Sequence, residues 1–264
     1  VSPGIFEFTP GRLPLLVSVP HAGTCIPESI RRQLSAVATP LPDTDWFVDR
    51  LYSWVVETGV GLITANYSRY VIDLNRPPDD AALYPGKIPG LVPDRTFSGH
   101  CVYEKETPDA DEVQRRITKY WQPYHQAIRA ELDRMREIHG YAILFDAHSI
   151  RSAVPGLFEG KLPDLNLGSF NGQSAAPGLI NTALGVFGGQ NRFSHVADQR
   201  FKGGYITRHF GHPSQNLHAL QLEMSQTVYM CEDPPTYDHE AAAKVQPLLE
   251  LLIRRLLAWN PDSG

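Results

Sequence analysis

Apolar positions along the chain follow two periods. Short runs of strand length fall at LPLLVSVP (13–20), VGLITA (60–65), RYVIDL (69–74), YAILFDA (141–147) and HALQLEM (218–224). Between them apolar residues recur at helical spacing. Segment 43–59 sets Val48, Leu51, Tyr52, Val55 and Val56 on one stripe, with Asp43 or Thr44 able to cap its start and Gly59 its end. Residues 111–139 repeat Val113, Ile117, Tyr120, Tyr124, Ile128 and Leu132, and Gly140 closes them. A last helix over 239–259 carries Leu248, Leu249, Leu252, Ile253 and Leu256, with Pro247 expected to kink it or to mark its start. Strand runs alternating with helices of this length predict an α/β fold, one domain over 1–264 with a largely parallel or mixed central sheet flanked by helices.

Two stretches break the alternation. Residues 75–110 are rich in proline, as in NRPPDD and PGKIPGLVPD, and residues 155–216 are rich in Gly, Asn and Ser. Loops this long inside a compact domain are usually functional, so both are read as walls and lids over a site, with 155–216 expected to move on binding.

Composition narrows the partners. With 42% hydrophobic residues the chain of 264 has material for a substantial core. The net charge of −5 and the scattered Lys and Arg offer no basic field, so nucleic acid is not an expected partner. No apolar stretch is long enough to span a bilayer, and the opening VSPGIFEF lacks the pattern of a signal peptide. Cys25, Cys101 and Cys231 stand far apart without CxxC spacing, which points away from a disulfide framework and towards a cytoplasmic location.

The candidate chemistry sits where apolar runs end. In an open α/β sheet, ligands bind beyond the carboxyl ends of the strands. LLVSVP runs into His21, RYVIDL into Asn75 and Arg76, AILFDA into His148, and HALQL into Glu223. Two imidazoles and a carboxylate, with one position left for water, form a catalytic zinc set. His21 and His148 are the imidazoles, and Asp45, in DTDW at the start of the first helical segment, is preferred over Asp43 and Asp49 as the carboxylate. Glu223 can take a proton from water, and Asp146, two residues before His148, can orient an imidazole. Plainer roles stay open for each. A lone histidine at a strand end is commonly structural, Asp45 could cap a helix, Glu223 could pair with an arginine, and Arg76 could be a solvated loop residue. A serine hydrolase finds no GxSxG, and a cysteine nucleophile rests only on Cys25 and Cys101 lying near His21 and His100 in sequence.

Six motifs taken in order, PHAG (20–23), DTDW (43–46), SRYVIDLNRP (68–77), DAHS (146–149), FKGGYITRHFG (201–211) and LQLEM (220–224), closely resemble the N-formylglutamate amidohydrolase family. The resemblance runs from about residue 13 to 232. It implies a fold like that of zinc carboxypeptidases and the aspartoacylase and desuccinylase enzymes. It also assigns zinc ligation to His21, Asp45 and His148, and activation of water to Glu223. Asn75 and Arg76, in DLNR at 73–76, would hold a substrate carboxylate. Arg69 resembles the arginine that stabilises the oxyanion in the desuccinylases, one residue closer to the Asn-Arg pair than in those relatives. The carboxypeptidase pattern HxxE has Thr24 where it needs Glu, so the carboxylate ligand comes from elsewhere, at Asp45.

The implied substrate is N-formyl-L-glutamate, cleaved to glutamate and formate at the end of histidine degradation. It carries two carboxylates, which arginine pairs with better than lysine. Arg76 would take one and Arg208 in GGYITR the other, with Arg200 and Lys202 behind it. Gly203 and Gly204 either let backbone approach the ligand or simply form a turn. Zinc is the expected cofactor, although manganese, cobalt or iron would also suit nitrogen and oxygen donors. Two other functions fit the same residues: a hydrolase of another N-acyl acidic amino acid, and a protein that binds an acidic ligand without turnover.

Overall fold

The computed structural model describes residues 3–83 and 89–261. Its centre is a seven-stranded mixed sheet of β1 (Phe6–Thr9), β2 (Leu15–Val19), β3 (Gly61–Ala65), β4 (Ala142–Ile150), β5 (Leu165–Gly168), β6 (His195–Ala197) and β7 (Leu217–Ser225). In space the strands run β1-β3-β2-β4-β7-β5-β6. The inner strands β3, β2, β4 and β7 are mutually parallel, while β1 and β5 pair antiparallel to β3 and β7. The α/β expectation, with a largely parallel or mixed sheet, holds.

Two apolar layers cover the sheet, and the period of two along each strand decides which residue meets which layer. Leu15, Val17 and Val19 of β2, Ile143, Phe145 and Ala147 of β4, and Leu220, Leu222 and Met224 of β7 face one layer. It is formed by α2 (Val48–Tyr52), α5 (Pro177–Gly188) and α7 (His239–Ala258). Leu16, Ala142, Leu144, Leu217 and Ala219 face the other. There they meet α4 (Gln122–His139), α6 (Tyr205–Phe210) and, through Ile30, α1 (Glu28–Arg31). One π turn, Ile117–Trp121, joins α3 (Ala110–Arg116) to α4.

On this second face the strands change character along their length. After Leu16 comes Ser18, after Leu144 come Asp146 and His148, and after Ala219 come Gln221 and Glu223. All are buried. The parallel register lines them up as Ser18 beside Asp146, Asp146 beside Gln221, and His148 beside Glu223. A polar floor therefore lies at the carboxyl end of an apolar sheet face. The run YAILFDAHSI does not stop at its polar residues: β4 continues to Ile150, buried throughout.

Several local expectations need correction. Residues 69–74 form no strand: both edges of β2 and of β3 are already paired, and the segment has no strand partner among the described residues. Tyr70, Val71, Ile72 and Leu74 are apolar because they pack into the second layer. The helical stripe at 43–59 starts only at Val48, since Phe47 adopts φ 63 and interrupts any earlier turn. Neither Asp43 nor Thr44 caps it, and residues 53–58 continue as 3-10 helix to Gly59, at φ 90. The last helix begins at His239, capped by Asp238, and Pro247 lies inside it. Segment 155–216 is not one long loop: it contains β5, α5, β6 and α6, its Gly and Asn residues marking turns such as Asn171, Gly172 and Gly203. Within 75–110, residues 84–88 lie outside the described residues, and the remainder holds no strand and no helix before α3.

Candidate active site

His21, Asp45 and His148 come together above the polar floor. One nitrogen or oxygen of each lies within 4.8 Å of the others, and all three residues are buried. Asp45 Oδ2 is 3.0 Å from His148 Nδ1 and 3.8 Å from His21 Nδ1. Two ligands at ~2.1 Å from a tetrahedral zinc stand roughly 3.4 Å apart, so these separations bracket a metal site. His21 Nδ1 is buried without a hydrogen-bond partner among the described residues. A buried polar atom in that condition is costly unless something fills the gap.

Each imidazole is fixed from behind by a carboxylate. His21 Nε2 donates to Asp73 Oδ1 at 2.8 Å, and His148 Nε2 donates to Asp146 Oδ2 at 2.8 Å. Both Nδ1 atoms are thereby turned towards Asp45, the arrangement that sets tautomer and ring orientation at metal-binding histidines. Asp146 is held in turn by the Ser18 hydroxyl at 2.9 Å, and Ser18 also meets the Tyr124 hydroxyl at 3.1 Å. Asp45 accepts from Arg69 Nη2 at 2.6 Å and from the Ser149 backbone amide at 3.1 Å. Its side chain is committed to this cluster and caps no helix. Asp43 accepts from Tyr70 and the Phe97 amide instead, and Asp49 is exposed.

The charge states follow from burial and neighbours. Burial, with help from the Arg69 charge, holds His21 below the usual imidazole range, so it is neutral and its lone pair is available. Burial works against charge on His148 too, but Asp146 and Asp45 on its two sides overcome it and push it well above that range. Asp45 and Asp73 are both held below the carboxylate range despite burial, Asp45 chiefly by the Arg69 charge and Asp73 by the hydrogen bond from His21 and the nearby charges of Arg76 and Arg69. Glu223 is the exception: burial raises it to about 8.

A cavity opens over this cluster, lined by His21, His148 and Glu223 together with Arg69, Arg76 and Arg200. Arg69 is tied to Asp45 and lies 4.9 Å over the Phe97 ring. Arg76 donates only to backbone, to Pro89 O and Asn75 O, both at 3.0 Å, and no salt bridge holds it among the described residues. Asn75 lines the cavity with its amide already engaged. Its Oδ1 accepts from the Ile206 amide at 2.8 Å, and its Nδ2 donates to Asp146 at 3.3 Å while lying 3.0 Å from His148 Nε2. Gly204 explains part of this: a Cβ there would stand 2.4 Å from Asn75 Nδ2. Its neighbour Gly203, at φ 98, makes the turn foreseen for the pair, while the close approach at Gly204 is to the Asn75 side chain.

Arg208 is not brought into the cavity. Its guanidinium donates to Gly203 O and Leu83 O and lies over the Phe170 ring, while Arg200, ranked behind it on sequence, lines the cavity with a buried Nε lacking a partner. Helical phase explains the change, since Arg208 lies in α6 four residues beyond Gly204 and turns back onto the carbonyl of Gly203.

The model of N-formylglutamate amidohydrolase matches residues 13–230. The chain belongs to that family. The N-formylglutamate deformylase of Pseudomonas putida is 47% identical over 260 residues, covering 98% of this chain and 97% of that one. The deformylase of Pseudomonas aeruginosa is 46% identical, covering 98% of each chain. Among solved structures, the N-formylglutamate amidohydrolase of Ralstonia eutropha superposes with a TM-score of 0.83 at 26% identity, over 96% of this chain and 97% of that one. A gene product of Agrobacterium tumefaciens, 18% identical with a TM-score of 0.74 over 96% of this chain and 95% of its own, shares the fold.

Sequence reasoning in this family missed Asp73, Gln221 and Phe97. Asp73 had a visible signal, since it precedes Asn75 by two residues as Asp146 precedes His148. Gln221, which donates to Glu223 Oε2 at 3.3 Å and accepts from the Gly204 amide at 2.8 Å, follows from the same alternation that placed Glu223. Phe97 had none, because it enters from an irregular segment.

Proposed function

We propose that this chain is a metal-dependent amide hydrolase that converts N-formyl-L-glutamate and water into L-glutamate and formate. The observation that carries the reading is the cluster of His21, Asp45 and His148 facing one another beside Glu223, on a chain nearly half identical to deformylases along its whole length. Its donor set suits zinc, with one position left open. Bound there, the metal supplies Lewis acidity and a water of lowered pKa.

The chain's own groups do the rest. Burial raises Glu223 to about 8, and the charge of a bound cation beside it would favour its carboxylate form, which suits a base that must both take and return a proton. It accepts the proton of the attacking water. After the C–N bond breaks it delivers that proton to the amine of the departing glutamate. Arg69, lining the cavity and anchored to Asp45, offers positive charge to the oxyanion that forms when water adds to the carbonyl. Arg76 and Arg200 suit the two carboxylates, since each lines the cavity and neither is taken up by an acidic side chain among the described residues. Asn75, whose amide supports Asp146, acts as a positioning residue for His148. Leu157, Arg200 and Phe201 put segment 155–216 over the cavity, which supports its role as a cover that moves when substrate enters.

The test is release of formate from N-formylglutamate, measured beside a panel of other N-acyl glutamates and N-formyl amino acids with neutral side chains. The reading expects N-formylglutamate to be the best substrate, with Arg200→Met raising KM much more than it lowers kcat. Equal turnover of N-formylglutamate and N-formylleucine would sink the assignment of a second carboxylate site.

A further inference from the structure

A second cavity adjoins the first through a wall of Phe97, Ser149 and Ile150, which line both. It is the larger, about 230 Å³ against about 60 Å³ for the cavity over the cluster. Its lining includes Asp43 and Thr44, next to Asp45 in the chain, and Gln226. All three arginines, Arg69, Arg76 and Arg200, line only the first cavity. A ligand held by Arg76 and Arg200, with its amide carbonyl at the cluster, shares the first cavity with this wall.

Phe97 is the largest side chain of that wall, and it is braced from several sides. Its backbone amide donates to Asp43 Oδ2 at 2.9 Å, and Gly156 packs so closely on its carbonyl that a Cβ there would stand 2.7 Å away. Its ring joins a small apolar cluster with Ile150, Leu157 and Phe201, separate from both main layers of the core, and carries the Arg69 guanidinium at 4.9 Å. A side chain fixed at backbone and ring gives a boundary of defined position.

We propose that Phe97, seated against Ile150, is the acyl-side wall of the site and restricts this chain to the smallest acyl group. The proposal rests on the reading of the site as an N-acylglutamate hydrolase. A formyl group places only hydrogen at the wall. An acetyl group places a methyl there, and one carbon in a close-fitting pocket is worth roughly 10- to 200-fold in discrimination. Shortening Phe97 joins the two cavities and admits the longer chain, with water adding across the amide to give acetate and glutamate.

The experiment measures kcat/KM for N-formyl- and N-acetyl-L-glutamate on the parent chain, Phe97→Leu and Phe97→Ala, with calorimetric binding of both ligands to the same proteins. The expected result is a rise of about ten-fold or more in the acetyl-to-formyl ratio for Phe97→Ala, and a smaller rise for Phe97→Leu. Where a variant loses turnover, the ratio of binding constants is judged in the same way. Ratios unchanged from the parent in both variants overturn the wall while leaving the hydrolase reading intact. A parent that releases no formate overturns the hydrolase reading itself.

Discussion

The two faces of β4 and β7 are made from the same strands, pair through the same hydrogen bonds and are equally buried, yet only one of them holds chemistry. On the first face Phe145, Ala147, Leu222 and Met224 remain apolar to the carboxyl ends of the strands. On the second, Asp146, His148, Gln221 and Glu223 occupy the equivalent depth. Burying such groups without partners costs several kcal/mol each, so the polar face persists only because nearly every group has one. Ser18 holds Asp146, Asp146 holds His148, and Arg69 holds Asp45. Among the described residues Arg69 Nε and Asp73 Oδ2 also lack a partner, but of His21, Asp45 and His148 it is His21 Nδ1 that is left buried and unpartnered, where an outside group would belong. One face is thus optimised for packing, and the other gives up packing for a preorganised arrangement of charge.

Substitutions on the two faces should fail differently. The largest effect is expected from Glu223→Gln, which keeps shape and removes the proposed base: kcat falls by about 10²- to 10⁴-fold with little change in thermal midpoint. Comparable loss of stability would mean that Glu223 is a structural residue. On the other face, Phe145→Ala removes a fully buried ring and should cost about 3–5 kcal/mol in denaturant unfolding, with turnover per folded molecule nearly retained. A smaller step comes from Asp146→Asn and Asp73→Asn, each expected to weaken metal affinity or activity by roughly 10- to 100-fold through the imidazole behind which it stands.

The smallest expected effect concerns a buried imidazole on the second face that has no part in the chemistry. Burial lowers His125 to about 3, where it stacks at 3.6 Å on Trp121. Its ordinary value in the unfolded chain is about 6.5, so the unfolded state takes up the proton first as the solution is acidified. Stability from this group is therefore full above pH ~6.5 and declines as pH falls towards 3, by about 1.4 kcal/mol at pH 5.5. Unfolding curves of His125→Phe at pH 7.5 and 5.5 should differ by that much less than those of the parent chain. An unchanged difference would show that His125 is not buried neutral.

Much of this contrast was legible in the sequence, for a physical reason. Strand alternation places His148 and Glu223 on one face once the strands are assigned, and apolar runs ending in polar residues identify both. Asp45 was harder. A carboxylate before a helical stripe is usually a cap, and only the break at Phe47 and the approach of Arg69 show that it turns inward. RYVIDL misled because burial under helices leaves the same apolar pattern as burial in a sheet. Arg200 and Phe97 come from irregular backbone, where no periodicity fixes direction. Their place over the cluster depends on long-range packing, of Gly156 on the Phe97 carbonyl and of Phe201 in the small apolar cluster.

The central claim is that the unpartnered atom among His21, Asp45 and His148 marks a metal site served by Glu223. Elemental analysis of the parent chain, His148→Ala and Glu223→Gln, with formate release assayed on the same samples, tests it most directly. The account predicts about one zinc per chain in the parent, loss of metal and turnover in His148→Ala, and retained metal with lost turnover in Glu223→Gln. Full formate release from a parent stripped of all metal, or undiminished zinc in His148→Ala, would contradict it.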